Sequence, residues 1–152
     1  MAAFDPIVGR YLNLEVDGRS YRVFVEEAGA GIPLLCLHTA GADSRQFRHL
    51  LNDTAVTSRY RVIAFDMPYH GRTNPPDGWW LEKYKLTTAA YLAFVRVVWT
   101  AMELERPVIL GCSMGGAIVL KLAAEYQKGN YKPDSLATSR GIVSDALSTG
   151  LQ

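Results

Sequence analysis

The sequence predicts an α/β fold, a mainly parallel sheet with flanking helices that is entered through an N-terminal antiparallel hairpin. Two segments alternate apolar and polar residues on either side of an Asp-Gly pair, residues 10–15 (RYLNLE) and 21–26 (YRVFVE). Three short apolar runs follow, at residues 33–37, 60–65 and 107–110. After each run, apolar residues recur at helical spacing, and this order is typical of a parallel sheet covered by helices.

The hairpin is predicted from its turn. Asp17-Gly18 is typical of two-residue hairpin turns, in which both positions have positive φ. The alternation on either side indicates strands with one buried face. The later runs, PLLCL, YRVIAF and PVIL, are mostly apolar without this alternation, which is typical of parallel strands buried on both faces.

Three helices are expected, one after each apolar strand. Ser44 is a candidate N-cap for the first helix, and Thr87 or Thr88 for the second, which ends before Pro107. The third begins directly after the last strand. The core-facing positions expected in the second helix are Tyr91, Leu92, Val95, Val98, Trp99 and Met102.

Composition excludes several classes of function. The chain has 152 residues and a net charge of +1, which argues against nucleic acid or an anionic membrane as the main partner. No apolar run reaches the roughly 18 residues of a membrane span, and no secretion signal is expected at residues 1–10. Cys36 and Cys112 lie in apolar runs, which favours reduced thiols in a cytoplasmic protein. No metal-ligand or dinucleotide motif is present, so no cofactor is predicted.

Residues 111–115 (GCSMG) carry the strongest chemical signal, and we call them the serine turn. The pattern G-x-S-x-G between a strand and a helix indicates a strained turn that exposes the Ser113 hydroxyl. Gly111 and Gly115 allow the strand and the helix to approach the turn closely. The helix N-terminus would direct the Met114 N–H at negative charge beside the hydroxyl. The segment therefore predicts a nucleophile and half of an oxyanion hole.

A second motif, residues 38–41 (HTAG), follows the first apolar strand. A loop at this position can bring the Ala40 N–H beside the nucleophile, where it would join the Met114 N–H in binding an oxyanion. By itself the segment favours an ordinary turn after a strand, and the oxyanion role is favoured because the serine turn follows some seventy residues later.

A third motif, residues 66–73 (DMPYHGRT), follows the next strand. Asp66 has the position of a possible catalytic acid. The favoured interpretation is structural, because a carboxylate at the start of such a loop commonly accepts hydrogen bonds from the loop's own backbone.

Together the three motifs resemble the serine-nucleophile branch of the α/β-hydrolase superfamily, in which the serine turn is called the nucleophile elbow. The chain departs from that pattern at Thr39 and Tyr69, where the family usually has Gly, and at Thr73, where it has Ser. The resemblance implies hydrolysis of an ester, thioester, lactone or activated C–C bond in a small acyl-type substrate. Because Ser113 stands at the nucleophile position, the resemblance points away from the dehalogenase and epoxide hydrolase branches, which use Asp.

The resemblance extends over roughly residues 11–126 and matches the N-terminal half of such an enzyme, so the expected fold is a truncated α/β-hydrolase-like one. Residues 1–126 are predicted to form the hydrolase-like half. Residues 127–152 form a polar segment, either a partial sixth strand or disordered.

The general base is the missing part of the pattern. His38, His49 and His70 all precede Ser113, whereas the family has its acid and then its His after the nucleophile. Three alternatives remain open: part of a longer enzyme, a catalytically inactive binding or interaction module, or recruitment of His38 or His70 as the base. Asp145 is the candidate acid, because it follows a possible sixth strand.

The last expectations concern substrate binding and self-association. His38 and Thr39 are candidate substrate-binding residues, and Trp79 and Trp80 line an acyl or aromatic pocket, contact a partner or cap the edge of the core. The strand before the serine turn is expected to lie at or near a sheet edge. An apolar edge favours pairing with another chain, so self-association is predicted.

Overall fold

The computed structural model describes residues 2–83 and 85–127 and the backbone of a strand at Ile142–Asp145. A short 3-10 turn, Ser44–Phe47, leads into α1, and another, Trp79–Leu81, lies before α3. In chain order the elements are β1 (Val8–Val16), β2 (Arg19–Ala28), β3 (Ile32–Leu37), α1 (Arg48–Asn52), α2 (Thr54–Thr57), β4 (Tyr60–Phe65), α3 (Thr88–Ala101), β5 (Val108–Cys112), α4 (Met114–Gln127) and β6 (Ile142–Asp145).

Within these ranges the strands form one mixed sheet in the order β1-β2-β4-β3-β5-β6. β1 pairs antiparallel with β2, and β2 with β4, while the β4–β3, β3–β5 and β5–β6 pairs are parallel. The hairpin turn has φ values of 51° at Asp17 and 73° at Gly18, as the Asp-Gly pair predicts. The predicted α/β class and the parallel sheet are confirmed.

Apolar residues cover both faces of the parallel strands. Leu35, Leu37, Ile63 and Phe65 face α3 and α4 in the larger core. The alternate residues Leu34, Cys36, Val62 and Ala64 pack with Phe47 and Leu51 on the other face. Because side chains alternate between the two faces of a strand, burial on both faces requires the continuous apolar runs seen in the sequence.

Helix α3 begins and ends as its sequence indicates. Of the two candidate caps, Thr87 is the one that caps it, since its side chain accepts a hydrogen bond from the Ala90 N–H at 3.2 Å. Near its end, the indole N–H of Trp99 donates to the Leu104 carbonyl at 2.7 Å. The described part of the chain has no helix long and apolar enough to cross a membrane.

The predicted cap of the first helix is wrong. Asp43, not Ser44, caps the segment, and its carboxylate accepts from the Arg45 N–H at 3.0 Å. The Ser44 N–H donates instead to Asp66 Oδ1 at 2.7 Å. Asp43 has the extended backbone that a cap requires, at φ −152°, whereas Ser44 is already inside the turn.

The strand before the serine turn lies one position in from the edge of the described sheet. β6 pairs with β5 in parallel, so the edges of this part of the sheet are β1 and β6. β5 therefore lies next to an edge strand of the described sheet, in agreement with the expectation that it lies at or near an edge. Of the polar C-terminal segment, only Ile142–Asp145 belongs to the described residues, and the domain division at residue 127 stays a prediction.

Candidate active site

The serine turn joins β5 to α4 at the carboxyl end of the parallel strands. Ser113 is exposed and has φ 49°, a left-handed conformation that is strained for any residue other than Gly. Its carbonyl accepts a hydrogen bond from the Ala117 N–H at 2.9 Å, which starts the helix. The backbone therefore turns sharply at Ser113, the residue whose hydroxyl the motif is predicted to expose.

The two glycines of the turn are required by close backbone contacts. A Cβ on Gly115 would lie 2.1 Å from the Leu37 carbonyl oxygen and 2.9 Å from that of His38. A Cβ on Gly111 would lie 2.4 Å from the Gly115 carbonyl carbon. The start of α4 thus packs directly against the end of β3, and it brings the serine turn next to residues 38–41.

The two backbone N–H groups predicted to bind an oxyanion are unused. Among the described residues, neither the Met114 N–H nor the Ala40 N–H has a hydrogen-bond partner. Met114 is the first residue of α4, where N–H groups have no intrahelical acceptor and the helix dipole favours negative charge. Both donors are therefore available to a ligand.

His38 holds two loops together from inside the protein. It is fully buried, its Nε2 accepts from the Met67 N–H at 2.9 Å, and its Nδ1 lies 2.8 Å from the Thr39 carbonyl. Because a carbonyl only accepts, these partners place the proton on Nδ1 and leave Nε2 as an acceptor. Burial lowers the pKa of His38, against the opposing effect of its hydrogen bond to Thr39, so the ring stays neutral.

The neutral His38 makes the fold sensitive to mild acid. Below the ordinary His pKa of 6.5, the unfolded chain takes up a proton that folded His38 does not, so the free energy of unfolding falls as pH decreases. The slope is expected to reach about 1.4 kcal/mol per pH unit at most. Urea unfolding between pH 7.5 and about 5 checks this. His38→Asn should flatten the slope, and an unchanged slope in that variant would assign the acid sensitivity to other groups.

Asp66 organises the third motif. It is fully buried, with Oδ1 accepting from the Ser44 N–H at 2.7 Å and Oδ2 from the Arg72 N–H at 2.6 Å. Its carbonyl accepts from the Thr73 hydroxyl at 2.6 Å, and that hydroxyl accepts from the Phe24 N–H at 3.0 Å. One carboxylate oxygen is thus used within the loop, and the other holds the turn that begins at Ser44 against it, which agrees with a structural role for Asp66.

An ion network around the buried Glu26, beside this loop, was not found from the sequence. Glu26 Oε1 accepts from Arg48 Nη2 and from Arg72 Nη2, both at 3.1 Å. Burial alone would raise the pKa of Glu26, but the two guanidinium groups and Ser44 hold it below its usual value. The available signal was the charged residue at the end of the apolar run VFVE, since a buried carboxylate requires a partner.

The three histidines have different surroundings. Both ring nitrogens of His38 are occupied, which leaves it no free nitrogen to act as a base. His70 is half-buried, with its ring centroid 5.0 Å from that of His38 and its Nδ1 2.8 Å from the Pro68 carbonyl. His49 is exposed on α1. Of the two recruited bases considered, the geometry leaves only His70.

The remaining candidate residues are Thr39, Asp145, Trp79 and Trp80. The Thr39 N–H donates to Gln46 Oε1 at 2.9 Å, which fixes the start of the loop at 38–41. In the β5–β6 register Asp145 pairs with Cys112, so its backbone lies beside the start of the serine turn. Trp79 and Trp80 lie on the exposed 3-10 turn after β4. Their roles, like those of Ser113 and Ala40, stay predictions.

The mixed sheet with its flanking helices is a fold of the α/β hydrolase class. The sequence matches the family model described as alpha/beta hydrolase fold over residues 32–138, so the chain belongs to the α/β hydrolase family. It is 31% identical over 107 residues to a putative non-heme haloperoxidase of Mycobacterium phage D29, covering 70% of this chain and 36% of that protein. It is 29% identical over 120 residues to the AB hydrolase superfamily protein YisY of Bacillus subtilis, covering 79% and 41%.

Solved structures agree on the fold. A thermophilic esterase from Thermogutta terrifontis superposes with a TM-score of 0.67 at 20% identity, covering 84% of this chain and 43% of that chain. An epoxide hydrolase from Vigna radiata superposes with a TM-score of 0.65 at 20% identity, covering 81% and 37%. The chain therefore spans less than half the length of each of these relatives.

Proposed function

We propose that the protein is a serine hydrolase in which Ser113 attacks the carbonyl carbon of an ester, thioester, lactone or activated C–C substrate. The observation that carries the proposal is the exposed Ser113 with φ 49°, at the start of α4 and beside glycines that admit no side chain. Strained backbone at a residue that makes no packing contribution is a mark of functional sites. The hydroxyl is the only reactive group that this strain presents.

The chemistry begins with a bond from Ser113 Oγ to the carbonyl carbon, while the hydroxyl proton passes to a base. The negative charge that develops on the carbonyl oxygen is bound by the N–H groups of Ala40 and Met114. The proton is then delivered to the leaving group as its bond to carbon breaks, and water hydrolyses the resulting acyl-serine. Both N–H groups lack partners in the described part of the chain, which supports this role.

The base and its orienting acid are the less complete part of the proposal. No His follows Ser113 in the 152 residues, and the relatives are more than twice as long as the matched region. We therefore assign the base to sequence beyond these residues. Asp145 is the proposed acid, supported by its backbone position beside Cys112 in the β5–β6 register.

The relatives support a small-molecule substrate but differ in their chemistry. Their names include an esterase, a putative non-heme haloperoxidase and an epoxide hydrolase. Among these we favour the esterase class for this chain, because a serine at position 113 forms the acyl intermediate that ester hydrolysis requires. A cytoplasmic location and self-association through a sheet edge remain predictions of the sequence.

A second candidate function is a hydrolase-like binding module without catalysis. It is favoured by one observation, the lack of any His after Ser113 in these residues. Such a module keeps the fold and the two free N–H groups but has no means to activate the hydroxyl.

The proposal predicts that a fluorophosphonate forms a covalent adduct with this chain at Ser113. Because no His follows Ser113 in these residues, added imidazole should accelerate the reaction. Ser113→Ala should abolish the adduct and keep the backbone strain. Ser113→Gly should also abolish the adduct. Its free energy of unfolding should be about 1 kcal/mol higher than that of Ser113→Ala, because Gly adopts a positive φ without strain.

Intact-mass measurement of adduct formation, with and without imidazole, gives the result. Adduct formation that is equal in wild type and Ser113→Ala would reject Ser113 as the nucleophile. No adduct under either condition would leave the binding module as the better account.

A further inference from the structure

We propose that a surface cavity beside the third motif binds the phosphate group of a small, soluble phosphate monoester. The cavity has a volume of about 390 Å³, and we call it the arginine cavity. A volume of this size is typical of small-molecule sites. No residue of the serine turn or of the loop at residues 38–41 lines it, so the inference goes beyond the proposed function and does not depend on Ser113. Its lining residues are Asp43, Arg45, Arg48, Gly71 and Arg72.

Three guanidinium groups from three segments of the chain meet at the arginine cavity. Arg45 lies in the 3-10 turn before α1, Arg48 is the first residue of α1, and Arg72 lies in the third motif. Arg48 Nη2 and Arg72 Nη2 donate to the same oxygen, Glu26 Oε1, each at 3.1 Å, which places these two groups side by side. Because arginine keeps its charge at any physiological pH, the cavity has three permanent cations in its lining.

Each of these guanidinium groups retains N–H donors for a ligand. Glu26 occupies Nη2 of Arg48 and of Arg72, and Asp43 occupies Nε and Nη2 of Arg45. Nη1 of all three arginines makes no hydrogen bond within the part of the chain that the structure describes. Guanidinium N–H groups form short, charge-assisted hydrogen bonds with phosphate oxygens, so the unused donors suit a phosphate group.

The wall of the cavity that the third motif forms is held in place before a ligand binds. The Arg72 guanidinium carbon lies 3.6 Å from the centroid of the Phe24 ring, and the Arg72 backbone N–H donates to Asp66. A Cβ on Gly71 would lie 2.2 Å from Asp66 Oδ2 and 2.7 Å from Asp43 Cβ, so the loop packs tightly there. Donors that are already in place reduce the conformational cost of binding.

The charges are arranged with the cations outside and the anions beneath them. The three arginine side chains are 39–66% exposed, whereas the side chains of their acidic partners, Glu26, Asp43 and Asp66, are at most 9% exposed. Asp43 also lines the cavity, but both of its carboxylate oxygens are bound by Arg45. The surface that a ligand reaches is therefore positive, although the cluster has equal numbers of positive and negative charges.

A phosphate monoester fits this arrangement better than a carboxylate or a polyanion. A phosphate monoester has about 1.5 to 2 negative charges at pH 7 and three strong acceptor oxygens. A carboxylate has one charge and two oxygens, too few acceptors for three guanidinium groups. The chain has 16 basic and 15 acidic residues, so it lacks the basic excess that binds nucleic acid or anionic lipid.

The test is a titration of the chain with glycerol phosphate at constant ionic strength, followed by NMR of the backbone amides. The amide signals of Gly71 and Arg72 should shift with a dissociation constant of about 1 mM, as two or three charge-assisted hydrogen bonds to solvent-exposed donors predict. The Gly18 amide, in the hairpin turn, is the internal reference and should not shift, because Gly18 lies outside the cavity.

Substitutions of the arginines locate the binding. Arg45→Gln and Arg48→Gln should each weaken binding of glycerol phosphate about tenfold, because each removes a charge-assisted hydrogen bond. Arg48→Lys should recover part of the loss, since it retains the charge without the planar group. If Arg48→Gln unfolds through loss of its bond to Glu26, Arg45→Gln still gives the test, because Arg45 binds Asp43 instead.

Arg59→Gln is the matched control for these substitutions. Arg59 is an exposed arginine that does not line the cavity. Its loss removes the same charge from the chain and should change the dissociation constant less than about twofold, because salt screens distant charges.

The outcomes separate this inference from the proposed function. Saturating shifts at Gly71 and Arg72 that weaken in the arginine variants support the inference. No shift at concentrations well above the expected dissociation constant, or wild-type affinity in both Arg45→Gln and Arg48→Gln, would overturn it. Equal affinity for sodium acetate would overturn the phosphate class, and binding to phosphatidic acid vesicles without any response to glycerol phosphate would overturn a soluble ligand. Adduct formation at Ser113 is measured separately, so the two proposals fail independently.

Discussion

Gly115→Ala should lower the free energy of unfolding by about 3–5 kcal/mol, or prevent folding at 37 °C. The added Cβ would lie 2.1 Å from the Leu37 carbonyl oxygen and 2.6 Å from its carbonyl carbon, both backbone atoms of a central strand. These atoms are held by pairing of β3 with β4 and with β5, so relief requires α4 to move away from the sheet. Such a movement would separate the core residues that α4 contributes.

Gly18→Ala is the matched control for Gly115→Ala. Gly18 has φ 73° and nothing within 4 Å of an added Cβ, so only backbone strain is introduced. That strain should lower the free energy of unfolding by about 1 kcal/mol. Urea unfolding of both variants gives the comparison, and similar values for the two would show that the approach of α4 to β3 is looser than described.

Asp66→Ala has the second largest expected effect, a loss of about 3–5 kcal/mol in the free energy of unfolding. The change removes both acceptors of the Ser44 and Arg72 N–H groups and leaves those donors without their partners. It also removes one of the two carboxylates beside the Arg72 guanidinium, whose Nε lies 3.8 Å from Oδ2, and leaves only Glu26. Because Asp66 is fully buried, water does not readily replace these bonds.

The control for Asp66→Ala is Asp53→Ala. Asp53 also accepts a backbone hydrogen bond, from the Ala55 N–H at 2.8 Å, but at an exposed helix start. Loss of such a cap should lower the free energy of unfolding by about 1 kcal/mol. Equal effects of the two substitutions would contradict the structural importance assigned to the buried carboxylate.

Local patterns in the sequence were sufficient for most of the fold. The Asp17-Gly18 pair placed the hairpin turn, and continuous apolar runs placed the parallel strands, since both signals lie within a few residues of the element they predict. The first helix cap was wrong because Ser44 and Asp43 are adjacent and either side chain has the required chemistry. The Ser44 N–H binds Asp66, which is 22 positions away, and no local pattern shows this contact.

The candidate site shows the same division between local and distant signals. Ser113 and its glycines were recognised because the motif lies at a strand–helix junction. The Glu26–Arg48–Arg72 network was missed, since its members are 22 and 46 positions apart and no local pattern connects them. The occupied nitrogens of His38 likewise depend on Met67, from the neighbouring strand's loop.

The most direct test of the account is to map the fluorophosphonate adduct by peptide mass spectrometry in the imidazole-supplemented reaction. The account predicts an adduct on the peptide that contains Ser113, with fragment ions that assign it to the serine hydroxyl. The same peptide also contains Cys112, so the fragment assignment distinguishes the two neighbours. An adduct on any other residue, or none at all, would contradict Ser113 as the nucleophile.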